Sequence, residues 1–74
     1  MEVKIRLFAT LREGRGKVLS KDFEAGVTPG LIIEDLGIPE EEVAILLVNG
    51  RDGDLEQALE DGDVVSIFPP VGGG

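Results

Sequence analysis

The sequence contains no cysteine, no histidine, no tryptophan and no tyrosine, and three phenylalanines are its only aromatic residues. Without cysteine there is no disulfide staple, no thiol nucleophile and no thiolate metal site. Without histidine the usual general base near neutral pH and the commonest zinc ligand are missing. Basic residues are scarce, with 7 Lys and Arg against 15 Asp and Glu and a net charge of −8. Nucleic-acid binding, which needs a basic footprint to release counterions, is therefore excluded. Long apolar runs are absent as well. The longest, Val43 to Val48, has six residues, against about 20 for a membrane-spanning helix. The start, Met1-Glu2-Val3-Lys4, lacks the basic-then-apolar pattern of a signal peptide. The expectation is a cytoplasmic protein with no membrane partner.

What is present is enough for one small domain. The 74 residues are 42% hydrophobic, sufficient for a single core with little surplus. Charge is unevenly spread along the chain. Residues 1–21 hold six basic and two acidic side chains, whereas residues 22–74 hold Arg51 against thirteen acids. The acidic part either steers the protein toward a basic surface or simply keeps a small domain soluble.

Residues 3–8 alternate, with Val3, Ile5 and Leu7 on one face and Lys4, Arg6 and Phe8 on the other. That pattern predicts a half-buried strand. Leu11 to Gly16 reads as a turn or short helical turn, and Lys17 to Phe23 as a second strand closing a hairpin. Thr28-Pro29 combines a capping side chain with proline at the first helical position. Leu31, Ile32 and Leu36 then define the expected buried face, and Gly37 followed by Pro39 the helix stop. Glu40-Glu41-Glu42 reads as an exposed acidic turn. Ala44 to Val48, continuously apolar, predicts a central strand buried on both faces. Asn49-Gly50 is a turn signal, Leu55 to Leu59 a short turn or helix, Asp61-Gly62-Asp63 a tight turn, and Val64 to Phe68 the last strand. Strand, strand, helix, strand, short element and strand make an α+β domain. The expected architecture is a ubiquitin-like β-grasp, a mixed sheet of four to five strands around one main helix. Residues 1–68 form that domain and residues 69–74 an extended glycine-rich tail.

Two chemical motifs fail on inspection. Gly14-Arg15-Gly16-Lys17 resembles the end of a phosphate-binding loop, but Leu11 stands where the first glycine belongs and Val18 where Ser or Thr belongs. Asp52, Asp54 and Glu56 have the spacing of a calcium loop, yet Gln57 occupies the position that requires glycine. Both read as solvated turns. No nucleophile, base or metal site emerges, so the chain is expected to have no catalytic residues and to hold no cofactor.

The distinctive segment is the end, Phe68-Pro69-Pro70-Val71-Gly72-Gly73-Gly74. Two prolines withdraw donors from strand pairing and favour a stiff, extended exit. The six residues after Phe68 reach roughly 20 Å when extended. Such a tail either threads its terminal carboxylate into another protein's active site or is a frayed chain end.

With these residues in place, the sequence resembles the sulfur-carrier family that includes the small subunit of molybdopterin synthase (MoaD) and the thiamine sulfur carrier (ThiS). The landmarks are Val3-Lys4-Ile5-Arg6-Leu7-Phe8-Ala9 with Leu11-Arg12-Glu13, Val48-Asn49-Gly50, Leu59-Glu60-Asp61-Gly62-Asp63, and the closing Phe68-to-Gly74 stretch. The resemblance implies that an ATP-dependent adenylating enzyme of the MoeB or ThiF type activates the carboxylate of Gly74. Sulfur then replaces the adenylate, and a MoaE-like or ThiG-like synthase subunit consumes the thiocarboxylate. ATP is a substrate of the activating enzyme and is not bound here. Gly72 and Gly73 would let the tail lie close to that enzyme's backbone. The resemblance also implies partner docking by Phe8 and Phe68, with Pro69, Pro70 and Val71 contributing; the alternative is that either ring folds over a core edge.

Leu11-Arg12-Glu13 and Pro69-Pro70 look like the molybdopterin branch, whereas the triple glycine is also common in thiamine carriers. Asp52-Gly53-Asp54 departs from the apolar residue often found after the Asn-Gly turn in the molybdopterin branch. The expected function is sulfur carriage in molybdenum or tungsten pterin cofactor biosynthesis. The alternatives are thiamine thiazole synthesis and conjugation to lysines as a ubiquitin-like modifier.

Overall fold

A computed structural model describes residues 1–71. Strand β1 spans Glu2–Leu7, β2 Val18–Asp22, β3 Ile45–Val48, β4 Arg51–Asp52 and β5 Val64–Phe68, with one helix, α1, over Pro29–Asp35. They form a five-stranded sheet in the order β2-β1-β5-β3-β4. β1 and β5 run parallel at its centre, flanked by antiparallel partners on both sides. A mixed sheet curled over one helix, as the alternation predicts, is the β-grasp topology.

Alternation decides which face turns inward. Val3, Ile5 and Leu7 of β1 and Val65 and Ile67 of β5 are all at most 1% exposed and meet Ile32 and Ile33 of α1. The helix begins where Thr28 Oγ1 accepts from the Leu31 N–H at 3.2 Å, with Pro29 occupying a position that needs no donor. It ends at Gly37, whose φ of +72° suits glycine. There the Ile38 N–H donates to the Ile33 carbonyl and the Gly37 N–H to the Glu34 carbonyl. Both bonds satisfy carbonyls that the helix end leaves free. Arg15 reaches the same place from the hairpin loop, donating to the carbonyls of Leu36, Gly37 and Leu11.

Two expectations need correction. The Ala44–Val48 run is not the central strand: β5 occupies the centre and β3 lies next to the edge, with Ile45 51% exposed. Within α1 Ile32 and Ile33 are buried, while Leu31 is 53% exposed, so the face turned to the sheet includes Ile33 in place of Leu31. Of the short turn or helix expected over Leu55 to Leu59, the structure forms the turn, at Leu55 and Glu56. Backbone bonds hold it: the Gly30 N–H donates to the Leu55 carbonyl and the Leu59 N–H to that of Val27. Of the tail, Val71 is almost fully exposed, and the placement of the expected reactive residues Gly72, Gly73 and Gly74 lies outside the described residues. No helix among the described residues is long and apolar enough to cross a membrane.

Candidate functional site: the tail root and the outer sheet face

The parallel register sets Leu7 opposite Ile67, so the next residues, Phe8 and Phe68, emerge side by side on the outer face. Their rings stack at 4.0 Å between centroids with a 9° interplanar angle. Phe8 continues the extended backbone of β1, and Ala9 then turns the chain sharply at φ +53°. Phe68 is fixed from its other side, where its carbonyl accepts from the Ala44 N–H at 2.8 Å. Each ring covers the other, so both are half-buried instead of fully exposed. The tail therefore starts from a pinned residue. Pro69 remains half-buried beside it, and Pro70 and Val71 are exposed.

The residues around this root come from all three neighbouring strands. Ile45 lies opposite Phe68, and Leu47 opposite Ser66, on β3. Arg6 flanks Ser66 on the β1 side and pairs with Val18 across the hairpin. Ser66 is thereby only 6% exposed although it faces outward. Val18 and Ile45, both about half exposed, extend the apolar surface to either side. The guanidinium carbons of Arg6 and Arg12 each stand 5.5 Å from the centre of the Phe8 ring, a cation–π distance. Arg12 is also anchored by donating Nε–H to the Leu7 carbonyl at 2.9 Å.

Sequence reasoning brought Phe8 and Phe68 to one face, and the structure stacks them. The alternation of β1 had already put Arg6 on the face of Phe8; it did not find Ile45, Leu47, Val18 or Arg12 there. Strand register was the missing information for the first three. For Arg12, the only available signal was its proximity to Phe8 in the chain.

At the opposite end of β5, two turns interlock. Asn49, at φ +54° in the Asn-Gly turn, donates Nδ2–H to Asp63 Oδ1 and accepts the Val64 N–H on Oδ1. Asp63 Oδ2 accepts the Glu60 N–H. That backbone donor first, and Asn49 second, hold the Asp63 carboxyl below its usual pKa. Among the described residues no group of three or more acids is placed to hold a metal ion.

Comparison with known proteins agrees with this geometry. The chain is 38% identical to small archaeal modifier protein 3 of Haloferax volcanii, with both proteins covered completely. It superimposes on the solution structure of the Haloferax volcanii HVO 2177 protein with a TM-score of 0.80 at 35% identity, covering all of this chain and 87% of that one. A putative molybdopterin converting factor subunit 1 from Pyrococcus furiosus gives 0.77 at 28% identity, covering 96% and 99%. The fold is thus ubiquitin-like. The sequence profile of the ThiS family matches residues 5–74, and the chain belongs to that family.

Proposed function

We propose that the protein is a sulfur carrier whose Gly74 carboxylate is activated by a partner enzyme and converted to a thiocarboxylate. The observation that carries this reading is the pinned root: Phe68 is held by ring stacking and a backbone bond, and exposed Pro70 and Val71 lead to the glycines. A carboxylate is a poor electrophile. Attack on the α-phosphorus of ATP forms an acyl adenylate and releases pyrophosphate. A sulfide-level donor then attacks the acyl carbon, and AMP leaves. The chain supplies the acceptor carboxylate, while the activating enzyme supplies the catalysis and binds ATP. Molybdopterin synthesis is the preferred destination, supported by the Pyrococcus relative named as a converting-factor subunit. Its second partner is then a synthase subunit that takes the sulfur. Thiamine thiazole synthesis remains the alternative carrier pathway. The cytoplasm is the proposed compartment.

A second reading is favoured by the 38% identical relative, which is named a modifier protein. In it a lysine amine attacks the same acyl adenylate, forming an amide and releasing AMP. Both readings share the activated Gly74 and differ in the nucleophile.

The test is intact mass after incubation with ATP, the cognate activating enzyme and a sulfur donor, against a control lacking ATP. An ATP-dependent gain equal to one oxygen replaced by sulfur, mapped to Gly74, is expected. No gain, with an enzyme competent on another carrier, overturns the carrier reading. Higher-mass conjugates that vanish when Gly74 is deleted would establish the modifier reading.

A further inference from the structure

Asn49 is the only asparagine in the chain, and a glycine follows it. Glycine has no Cβ to shield its nitrogen, so an Asn-Gly pair leaves the side-chain amide open to attack by the next backbone nitrogen. Both residues are exposed at the tip of the hairpin between β3 and β4, at φ +54° and +80°. The Gly50 N–H donates to no described residue. The two Asp-Gly pairs of the chain differ on this point. The Gly53 N–H donates to the Leu46 carbonyl at 2.9 Å and the Gly62 N–H to the Glu2 carbonyl at 2.8 Å. Their neighbours Asp52 and Asp61 also present carboxylates, poorer electrophiles than a neutral amide. What opposes attack at Asn49 is its own clasp. Nδ2 donates to Asp63 Oδ1 at 3.0 Å and Oδ1 accepts the Val64 N–H at 2.9 Å, and the amide must leave both to reach Gly50.

We infer that Asn49 is a site of spontaneous deamidation through Gly50, and that its clasp with Asp63 sets the pace; the inference is independent of the chemistry at Gly74. A solvent base takes the Gly50 N–H proton, the nitrogen bonds to Asn49 Cγ, and the Cγ–Nδ2 bond breaks to release ammonia. Water then opens the cyclic imide at either carbonyl. One opening leaves aspartate, the other isoaspartate with the backbone routed through Cβ. Either product puts a carboxylate where a donor faced Asp63, so attraction becomes like-charge repulsion. Isoaspartate also adds a backbone carbon to a two-residue turn. Ammonia is lost to solvent, so the change runs one way and opens the link between the turn after β3 and the turn before β5.

The full-length protein is incubated in mildly alkaline buffer, folded and in urea, and followed by intact mass and by labelling with an isoaspartyl methyltransferase. The expected product gains the mass of an amide N–H replaced by oxygen, maps to Asn49 and contains isoaspartate. Having two exposed hydrogen bonds to release should make the folded protein react about tenfold more slowly than the chain in urea. Asp63→Ala removes one of those bonds and should raise the folded rate about threefold, with the rate in urea unchanged. Asp52→Ala removes a nearby carboxylate outside the clasp and should change neither. Asp63→Asn, left with a single acceptor oxygen for the Glu60 and Asn49 donors, serves if the alanine variant fails to fold. Asn49→Asp carries the product's charge from the start and should lower the urea midpoint. Combining it with Asp63→Asn returns a donor opposite an acceptor and should regain most of the loss.

Several results overturn the inference. A folded protein that stays unconverted long after the chain in urea has reacted completely would show that the turn forbids the attack. Equal rates folded and in urea, or an Asp63→Ala rate equal to wild type, would show that the clasp restrains nothing. Isoaspartate forming first at Asp52 or Asp61 would refute the choice of site. Aspartate without isoaspartate would mean direct hydrolysis, with Gly50 uninvolved. An Asn49→Asp variant as stable as wild type, or a combined variant no better than Asn49→Asp alone, would show that the product leaves the two turns joined.

Discussion

Asn49 and Asp63, fourteen residues apart, clasp each other side chain to side chain at 3.0 Å and tie the turn after β3 to the turn before β5. Both belong to the landmarks by which the sequence resembles a sulfur carrier. Neither touches the tail root. Their contribution is to fix where β5 begins, and so the register that delivers Phe68 opposite Phe8.

Removing the Asn49 side chain should therefore destabilise the fold, and the backbone allows the two causes to be separated. Asn49→Gly loses the bonds to Asp63 and Val64 but suits the φ of +54°. A cost of about 1 kcal/mol is expected, since the pair is solvent-accessible. Asn49→Ala loses the same bonds and must also hold a left-handed backbone, adding about 1 kcal/mol. Urea denaturation of the two variants should resolve the difference. Equal midpoints would show that the turn conformation is not enforced.

Asp63 gives the acid limb of stability a specific component. Its folded pKa lies below the ordinary value of 3.8 because the Glu60 N–H and Asn49 bond its charged form. The associated stability is fully present above the unfolded pKa and is lost as pH falls through the folded one. Asp63→Asn should accordingly be less stable than wild type at neutral pH and show a smaller loss on acidification below about pH 4. Carbon-detected NMR titration should find the wild-type carboxyl titrating below ordinary aspartates, and closer to them in Asn49→Gly.

Gly30 occupies a position where a side chain has no room. A Cβ there would stand 2.9 Å from the Leu55 carbonyl oxygen, the very atom that accepts the Gly30 N–H. Relief requires moving backbone, so Gly30→Ala should cost about 1–3 kcal/mol despite the better helix propensity of alanine. A thermal melt is sufficient. A variant as stable as wild type would show that the 55–59 segment is free to shift.

Much of this architecture is legible in residue order because local signals agree with their surroundings. The alternation in β1, the Thr28-Pro29 start, the Gly37 stop and the Asn-Gly turn each have a local physical cause, and each is found where expected. The failures share one source. Ala44 to Val48 looks like a strand buried on both faces, but Ile45 and Leu47 supply the apolar surface beside the tail root. Apolarity for docking and apolarity for burial are indistinguishable in one sequence. The turn at Leu55 and Glu56 was expected, but its partners, Gly30 and Val27, depend on tertiary placement. The charge imbalance was visible along the chain, and so was Arg6 on the face of Phe8, but the return of Arg12 to that ring emerged only with the turn at Ala9.

The stacked rings are where fold and function should separate experimentally. Phe8 is half-buried, stacks on Phe68 at 4.0 Å and carries two arginines above it. Truncating it to alanine removes an aromatic contact worth about 1 kcal/mol beyond area burial, a loss that leaves the isoleucine and valine core intact. The same truncation removes the centre of the expected docking face, where anchors typically contribute 2 kcal/mol or more. Phe8→Ala should thus remain folded yet need at least about tenfold more protein for half-maximal activation of Gly74. Leu31→Ala, which shortens an equally apolar side chain on the helix side, should leave that concentration unchanged. If both substitutions shift it alike, or Phe8→Ala shifts nothing, the rings only close the end of the sheet and the partner reads the tail alone.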